Sequence, residues 1–175
     1  MNRRLAIRQI LLLGGATIVL PSCNWSKEEI SVKLNHLKIG NEQINLISEI
    51  SESIIPATDT PGAKALNIHR YVLRIVDDCF PKDEQKIFES GLKEMEQFTD
   101  KNIGKLFNES NQDQRIEILK QIEAGSGVST ELKSFVNSVK ALTIEGYSTS
   151  EFAMTKRKVP YKLVPGHFNG CVKTA

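Results

Sequence analysis

Residues 42–80, EQINLISEISESIIPATDTPGAKALNIHRYVLRIVDDCF, hold two apolar patterns of one period on either side of a polar turn. In the first, Ile44, Ile47, Ile50 and Ile54 recur every three to four positions, the spacing of an amphipathic helix. Asn41, after Gly40, is the expected N-cap. Pro56 closes this helix, because proline removes an amide donor and clashes with the preceding turn. In the second, Leu66, Ile68, Tyr71, Val72, Ile75, Val76 and Cys79 form one face. That pattern predicts a helix capped by Thr60, with Pro61 at its first position and a stop before Pro81. The intervening IIPATDTPGA, residues 54–63, can punctuate two helices, or it can be a surface on which something docks.

The same period continues downstream. Lys82-Asp-Glu opens a third helix with acid in its first turn, favourable to the helix dipole, and Phe88, Leu92, Met95 and Phe98 form its stripe. Ser110-Asn-Gln-Asp113 resembles a capping box ahead of Ile116, Leu119 and Ile122. Gly125-Ser-Gly127 reads as a linker. Ser129 or Thr130 begins a fifth helix, with Leu132, Phe135, Val136, Val139 and Leu142 facing inwards and an end near Gly146. No useful strand alternation and no internal repeat is present. The expected fold is an all-α bundle of about five helices. The last 28 residues, with Pro160, Pro165, Gly166 and Gly170, exclude a long helix and read as an irregular apolar tail packed on the bundle or a partner.

The N-terminus reads as an address. Residues 1–9, MNRRLAIRQ, are basic, and residues 10–20, ILLLGGATIVL, are an apolar run. Eleven residues are too few for a permanent span, which needs about 20, but they suit a signal peptide. Leu20-Pro21-Ser22-Cys23 resembles a bacterial lipobox. This reading gives a signal peptide over 1–22, a lipidated tether over 23–40 and a single helical domain over 41–175. It implies an exported lipoprotein, membrane-anchored through Cys23 and facing the periplasm. The plainer alternative is a secretory signal with Cys23 unmodified. Arg3-Arg4 resembles a twin-arginine export signal, with Sec export as the other route, and CNWSKEE hints at outer-membrane or surface sorting.

Cys79 and Cys171 are then left in an oxidising compartment, where a disulfide between them is expected. Two buried thiols, or a bond from one of them to a partner, are the alternatives. Three of the 23 basic residues, and no acid, lie within residues 1–22, so the remainder carries 20 basic against 21 acidic residues. A nearly neutral body offers no footprint for nucleic acid.

Catalytic and metal chemistry find no clear place. His36, His69 and His167 are scattered, and His69 reads as an ordinary surface or core residue. Asp77-Asp78-Cys79 reads as a solvated helix end with one buried cysteine, because adjacent helical residues diverge by about 100°. There is no haem-attachment motif, dinucleotide loop or nucleophile elbow. No catalytic residue, metal ligand or cofactor-binding residue is assigned.

The turn IIPATDTPGAKALNIHRYV, the following DDCF and the closing LTIEGYSTSEFAMTKRKVPYKLVPGHFNGCV together resemble the gluconate 2-dehydrogenase subunit 3 family. The resemblance spans residues 40–173. It implies a non-catalytic small subunit of a membrane-associated sugar or polyol dehydrogenase, aiding export, maturation and stability of a flavoprotein. FAD would sit on that partner, with a cytochrome c subunit or another carrier taking the electrons. Partner-binding residues would then come from the two motifs: Thr58, Asp59 and Thr60 in the turn, and Tyr147, Ser150, Glu151, Tyr161 and Phe168 in the closing segment. A free-standing lipoprotein adaptor for another envelope protein is the alternative.

Overall fold

A computed structural model describes residues 34–125 and 127–156. The chain forms an all-α bundle: six α-helices and no strand are present among the described residues. They are α1 (Asn41–Ile54), α2 (Ile68–Cys79), α3 (Lys82–Ile103), α4 (Gln112–Ala124), α5 (Thr130–Thr149) and α6 (Glu151–Lys156), with a 3-10 turn at Phe107–Glu109.

Helix α5 is the central element, packed against α1, α2, α3 and α4. Leu132, Phe135, Val136, Val139 and Leu142, the stripe expected from its period, are all buried. Its closest neighbour is α3. A Cβ on Gly91 would lie 2.5 Å from Phe135 Cβ and 2.6 Å from the Glu131 carbonyl, so glycine is what lets the two helices meet there. The Phe88 and Phe135 rings then stack edge to face at 4.8 Å, a geometry adding about 0.5–1.5 kcal/mol beyond burial. Against α1, the contact uses small polar side chains. Buried Ser51 donates to the Ile47 carbonyl at 2.8 Å and lies 3.2 Å from the Thr143 hydroxyl on α5. These two buried hydroxyls are thus satisfied at little cost in volume.

Four local expectations change. Neither Thr60 nor Pro61 starts a helix: the chain makes a single turn over residues 63–67, with the Leu66 amide on the Gly62 carbonyl at 3.3 Å. Asn67 adopts the left-handed conformation (φ 55°), with the Ile68 amide on the Ala63 carbonyl and the Asn67 amide on the Lys64 carbonyl. This double closure is a Schellman stop, which asparagine tolerates. Helix α2 therefore starts at Ile68. At α4 the cap is Asn111 rather than Ser110, with the reciprocal partner Gln114 one residue beyond the expected Asp113. Asn41 is the first helical residue of α1, and its cap position is Gly40, whose amide donates to Gln43 Oε1 at 3.2 Å. Finally, the closing segment is helical at its start: Ser150 caps the short α6, its hydroxyl accepting from the Ala153 amide at 3.2 Å.

The α2 end is also the reverse of the solvated terminus expected. Asp77 is buried and Cys79 is exposed. Asp77 accepts the backbone amides of Asn35, His36 and Leu37 at 2.7, 2.8 and 2.8 Å. The Lys38 amide adds a bond to Glu89 of α3 at 2.9 Å. The end of the tether is thereby strapped to the bundle, and Leu37 enters the core. Burial alone would raise the Asp77 pKa; the three amide donors outweigh it and hold the carboxyl below its ordinary value. Gln85 of α3 seals the same corner by donating to the carbonyls of Val76, Asp77 and Phe80.

Candidate partner-docking site

The turn between α1 and α2 is built around one side chain, Glu52. Its carboxylate accepts the Ala57 amide at 2.9 Å and the Lys64 amide at 2.8 Å, so it bridges the two ends of the turn. The Ala63 amide returns to the Ile55 carbonyl at 2.9 Å, closing the loop a third time. A Cβ on Gly62 would lie 2.4 Å from a Glu52 oxygen and 2.6 Å from the Ala57 nitrogen. Glycine is required here because the carboxylate fills the inside of the turn. Thr58, Asp59 and Thr60 form its exposed tip. The Thr58 amide donates to the Thr60 carbonyl at 3.0 Å, and the two threonine hydroxyls lie 3.5 Å apart.

The closing motif arrives at this turn from 86 residues away: the Tyr147 hydroxyl donates to the Pro61 carbonyl at 3.1 Å. A Cβ on Gly146 would lie 2.6 Å from the Tyr71 ring and 3.2 Å from Ile68, so the glycine before Tyr147 lets α5 close on α2. Tyr147 also meets Phe152 of α6 edge to face at 6.5 Å. An open groove of about 400 Å³ follows, lined by Leu66, Ser150, Glu151, Phe152 and Thr155. Of the residues expected to bind a partner, Thr58, Asp59, Thr60, Tyr147, Ser150 and Glu151 thus belong to the turn and the helix ends around it. Tyr161 and Phe168 lie outside the described residues, as do Cys23 and Cys171. The Cys79 thiol is exposed at the end of α2, and its pairing with Cys171 rests on that second, undescribed residue.

The two uses considered for the turn fall on different atoms. Bracing of the closing segment uses the Pro61 carbonyl. Among the described residues, the hydrogen bonds of Thr58–Thr60 stay within the tip and leave the Asp59 side chain unengaged.

Sequence reading missed the side chains that hold the site. Glu52 resembles any exposed helical glutamate. Glu49, one turn earlier, pairs with both Lys64, at the foot of the turn, and Arg115 of α4, the latter at 2.5 Å. Burial alone would raise the Glu49 pKa, but the hydrogen bonds and charges of Lys64 and Arg115 bring it below its ordinary value. Arg115 also donates to the Phe107 and Asn108 carbonyls at 3.0 and 2.8 Å and lies over the Phe107 ring. His69 is half-buried with its Nδ1 unpartnered. Burial, then the positive charges of Arg70 and Lys64, push its pKa down to about 4, so it is neutral at pH 7. His36, Asp77 and Asp78 bring ligand atoms within 4.8 Å of one another, a trio hidden from sequence because His36 comes from the strap. The Asp77 oxygens in it already serve three amides.

A family model described as gluconate 2-dehydrogenase subunit 3 matches residues 41–166, well over half of the chain, and takes in the whole turn and the closing motif as far as Gly166. The chain belongs to that family. No curated protein and no solved structure matches it. Family membership makes it an accessory subunit of a dehydrogenase complex, associated with a catalytic subunit. The matched region begins at α1 and includes every described residue of the turn and the closing motif. No helix among the described residues is long and apolar enough to cross a membrane.

Proposed function

We propose that this chain is the non-catalytic small subunit of an FAD-dependent sugar or polyol dehydrogenase, and that it aids export, maturation and stability of the flavoprotein. In this reading FAD sits on the catalytic subunit, and a cytochrome c subunit or another carrier takes the electrons. The exported complex is tethered through acyl chains on Cys23, facing the periplasm, and a folded flavoprotein bound to the signal-bearing subunit suits twin-arginine export. Cys79 and Cys171 are disulfide-bonded in the mature protein, tying the closing segment to the end of α2.

The observation that carries the reading is the meeting of the two motifs. Residues that far apart in sequence are joined by the Tyr147–Pro61 hydrogen bond, and among the described residues the exposed tip beside it makes no bond outside itself. A turn held this firmly with an unused polar edge suits recognition by a second protein, because little ordering cost remains to be met on binding.

Affinity purification of the full-length chain from its own membranes tests it. The expected result is a co-purifying dehydrogenase catalytic subunit, with flavin absorbance and dye-linked sugar or polyol oxidation in the complex and neither in the isolated chain. Dye-linked oxidation by this chain alone, or purification without any flavoprotein, would overturn the proposal.

A further inference from the structure

The turn holds one more feature, its charge. Asp59 is exposed at the tip and forms no ion pair among the described residues. The basic side chain nearest in sequence is Lys64, and it is committed to Glu49. Glu52 cannot move outwards to alter the tip, because both of its oxygens hold backbone amides. Across the Tyr147 contact, Glu151 lines the groove beside Leu66 and is also exposed without an ion-pair partner. The turn therefore presents a carboxylate whose nearest basic neighbour in sequence is committed to Glu49. The carboxylate at its tip is flanked by two threonine hydroxyls and set on a turn that glycine and glutamate hold in one shape.

We infer that Asp59, positioned by Glu52 and Gly62, receives a cationic side chain of the catalytic subunit, with Glu151 in the groove beside Leu66 as a second acidic contact. A guanidinium fits this arrangement best. Its planar donors can engage the carboxylate and a neighbouring hydroxyl together, where an ammonium offers only a point charge. A preformed turn avoids the ordering cost of a flexible loop, so the pair can set both orientation and encounter rate. The inference rests on the accessory-subunit reading and adds the chemistry of the contact.

The test is co-expression of the full-length chain with its flavoprotein, and measurement of the dissociation constant and its salt dependence for wild type, Asp59→Asn, Asp59→Lys and Asp59→Asn/Glu151→Gln. Asp59→Asn is expected to weaken the complex about tenfold or more, as for loss of a paired interfacial charge. It should also flatten the salt dependence. Asp59→Lys should weaken binding further, and the double variant should lose most of the remaining salt dependence. Glu52→Gln separates positioning from contact: binding should fall while Asp59 keeps its charge, and amide exchange should accelerate at Ala57 and Lys64 before the rest of the bundle. Wild-type affinity and salt dependence in Asp59→Asn would overturn this inference and leave the accessory-subunit reading intact. Tighter binding by Asp59→Lys would overturn it as well, by showing an acidic partner surface. A wild-type chain that binds no flavoprotein would overturn both.

Discussion

Glu52 and Asp77 perform the same physical task in two regions of the molecule. Each is a helical carboxylate that gathers backbone amides from a segment with no regular structure of its own. Asp77 gathers three, from the strap at Asn35–Leu37. Glu52 gathers two, from the ends of the α1–α2 turn. Their surroundings differ. Asp77 is fully buried and its strap carries Leu37 into the core, whereas Glu52 is half-exposed and its turn carries Thr58, Asp59 and Thr60 outwards. The same device therefore serves stability in one place and presentation in the other. What distinguishes them is what the gathered segment does with its side chains.

The sharpest way to break this comparison is Asp77→Ala. It strands three amides and loosens Leu37, and it should cost about 3–5 kcal/mol, combining unmet donors with lost apolar burial. Urea unfolding of the protein measures it; a loss under about 1 kcal/mol would show that the strap is incidental to the fold. The same carboxylate sets a pH dependence. Its folded pKa lies below the unfolded value, so its contribution is complete above the ordinary carboxylate range. It is lost as pH falls through the depressed folded value. Glu49 acts in the same direction. Unfolding free energy measured from pH 7 downwards should therefore fall less steeply in Asp77→Asn than in the wild type.

Gly62→Ala comes next. The added methyl meets the Glu52 carboxylate and the Ala57 nitrogen, and overpacking of this kind costs about 1–3 kcal/mol. Amide exchange should show the damage concentrated between Ile55 and Asn67, with α3 and α5 unaffected. Glu52→Gln should cost about 1–2 kcal/mol, because an amide nitrogen replaces one acceptor facing a backbone N–H. At the small end, Asp59→Asn should change stability by less than about 0.5 kcal/mol, as expected for an exposed side chain without partners. A thermal shift of several degrees in that variant would mean that the tip supports the fold after all, and the contrast with the strap would fail.

Much of this architecture was legible in the chain. The periods of α1, α3 and α5 follow from apolar spacing, and the buried stripe on α5 is the one its residues predict. The two motifs of the turn and the closing segment were equally visible, since their glycines, prolines and threonines carry local conformational preferences. What could not be read was any feature depending on a residue far away in the chain. Asp77 looked solvated because its three donors lie about 40 residues earlier. The start of α2 was misplaced because Asn67 turns left-handed and the Asn67 and Ile68 amides close back on the Lys64 and Ala63 carbonyls, a stop that apolar spacing does not announce.

By itself, then, the sequence determined the helical class, the order and approximate extent of the helices, and the family, because periodicity and turn chemistry are local and act within a few residues. Only the tertiary structure decided which carboxylates are buried, which cations are already paired, and that Tyr147 closes on Pro61. Those outcomes depend on which distant groups share a neighbourhood, and a charged side chain has no fixed role until packing has settled its partners and its access to water.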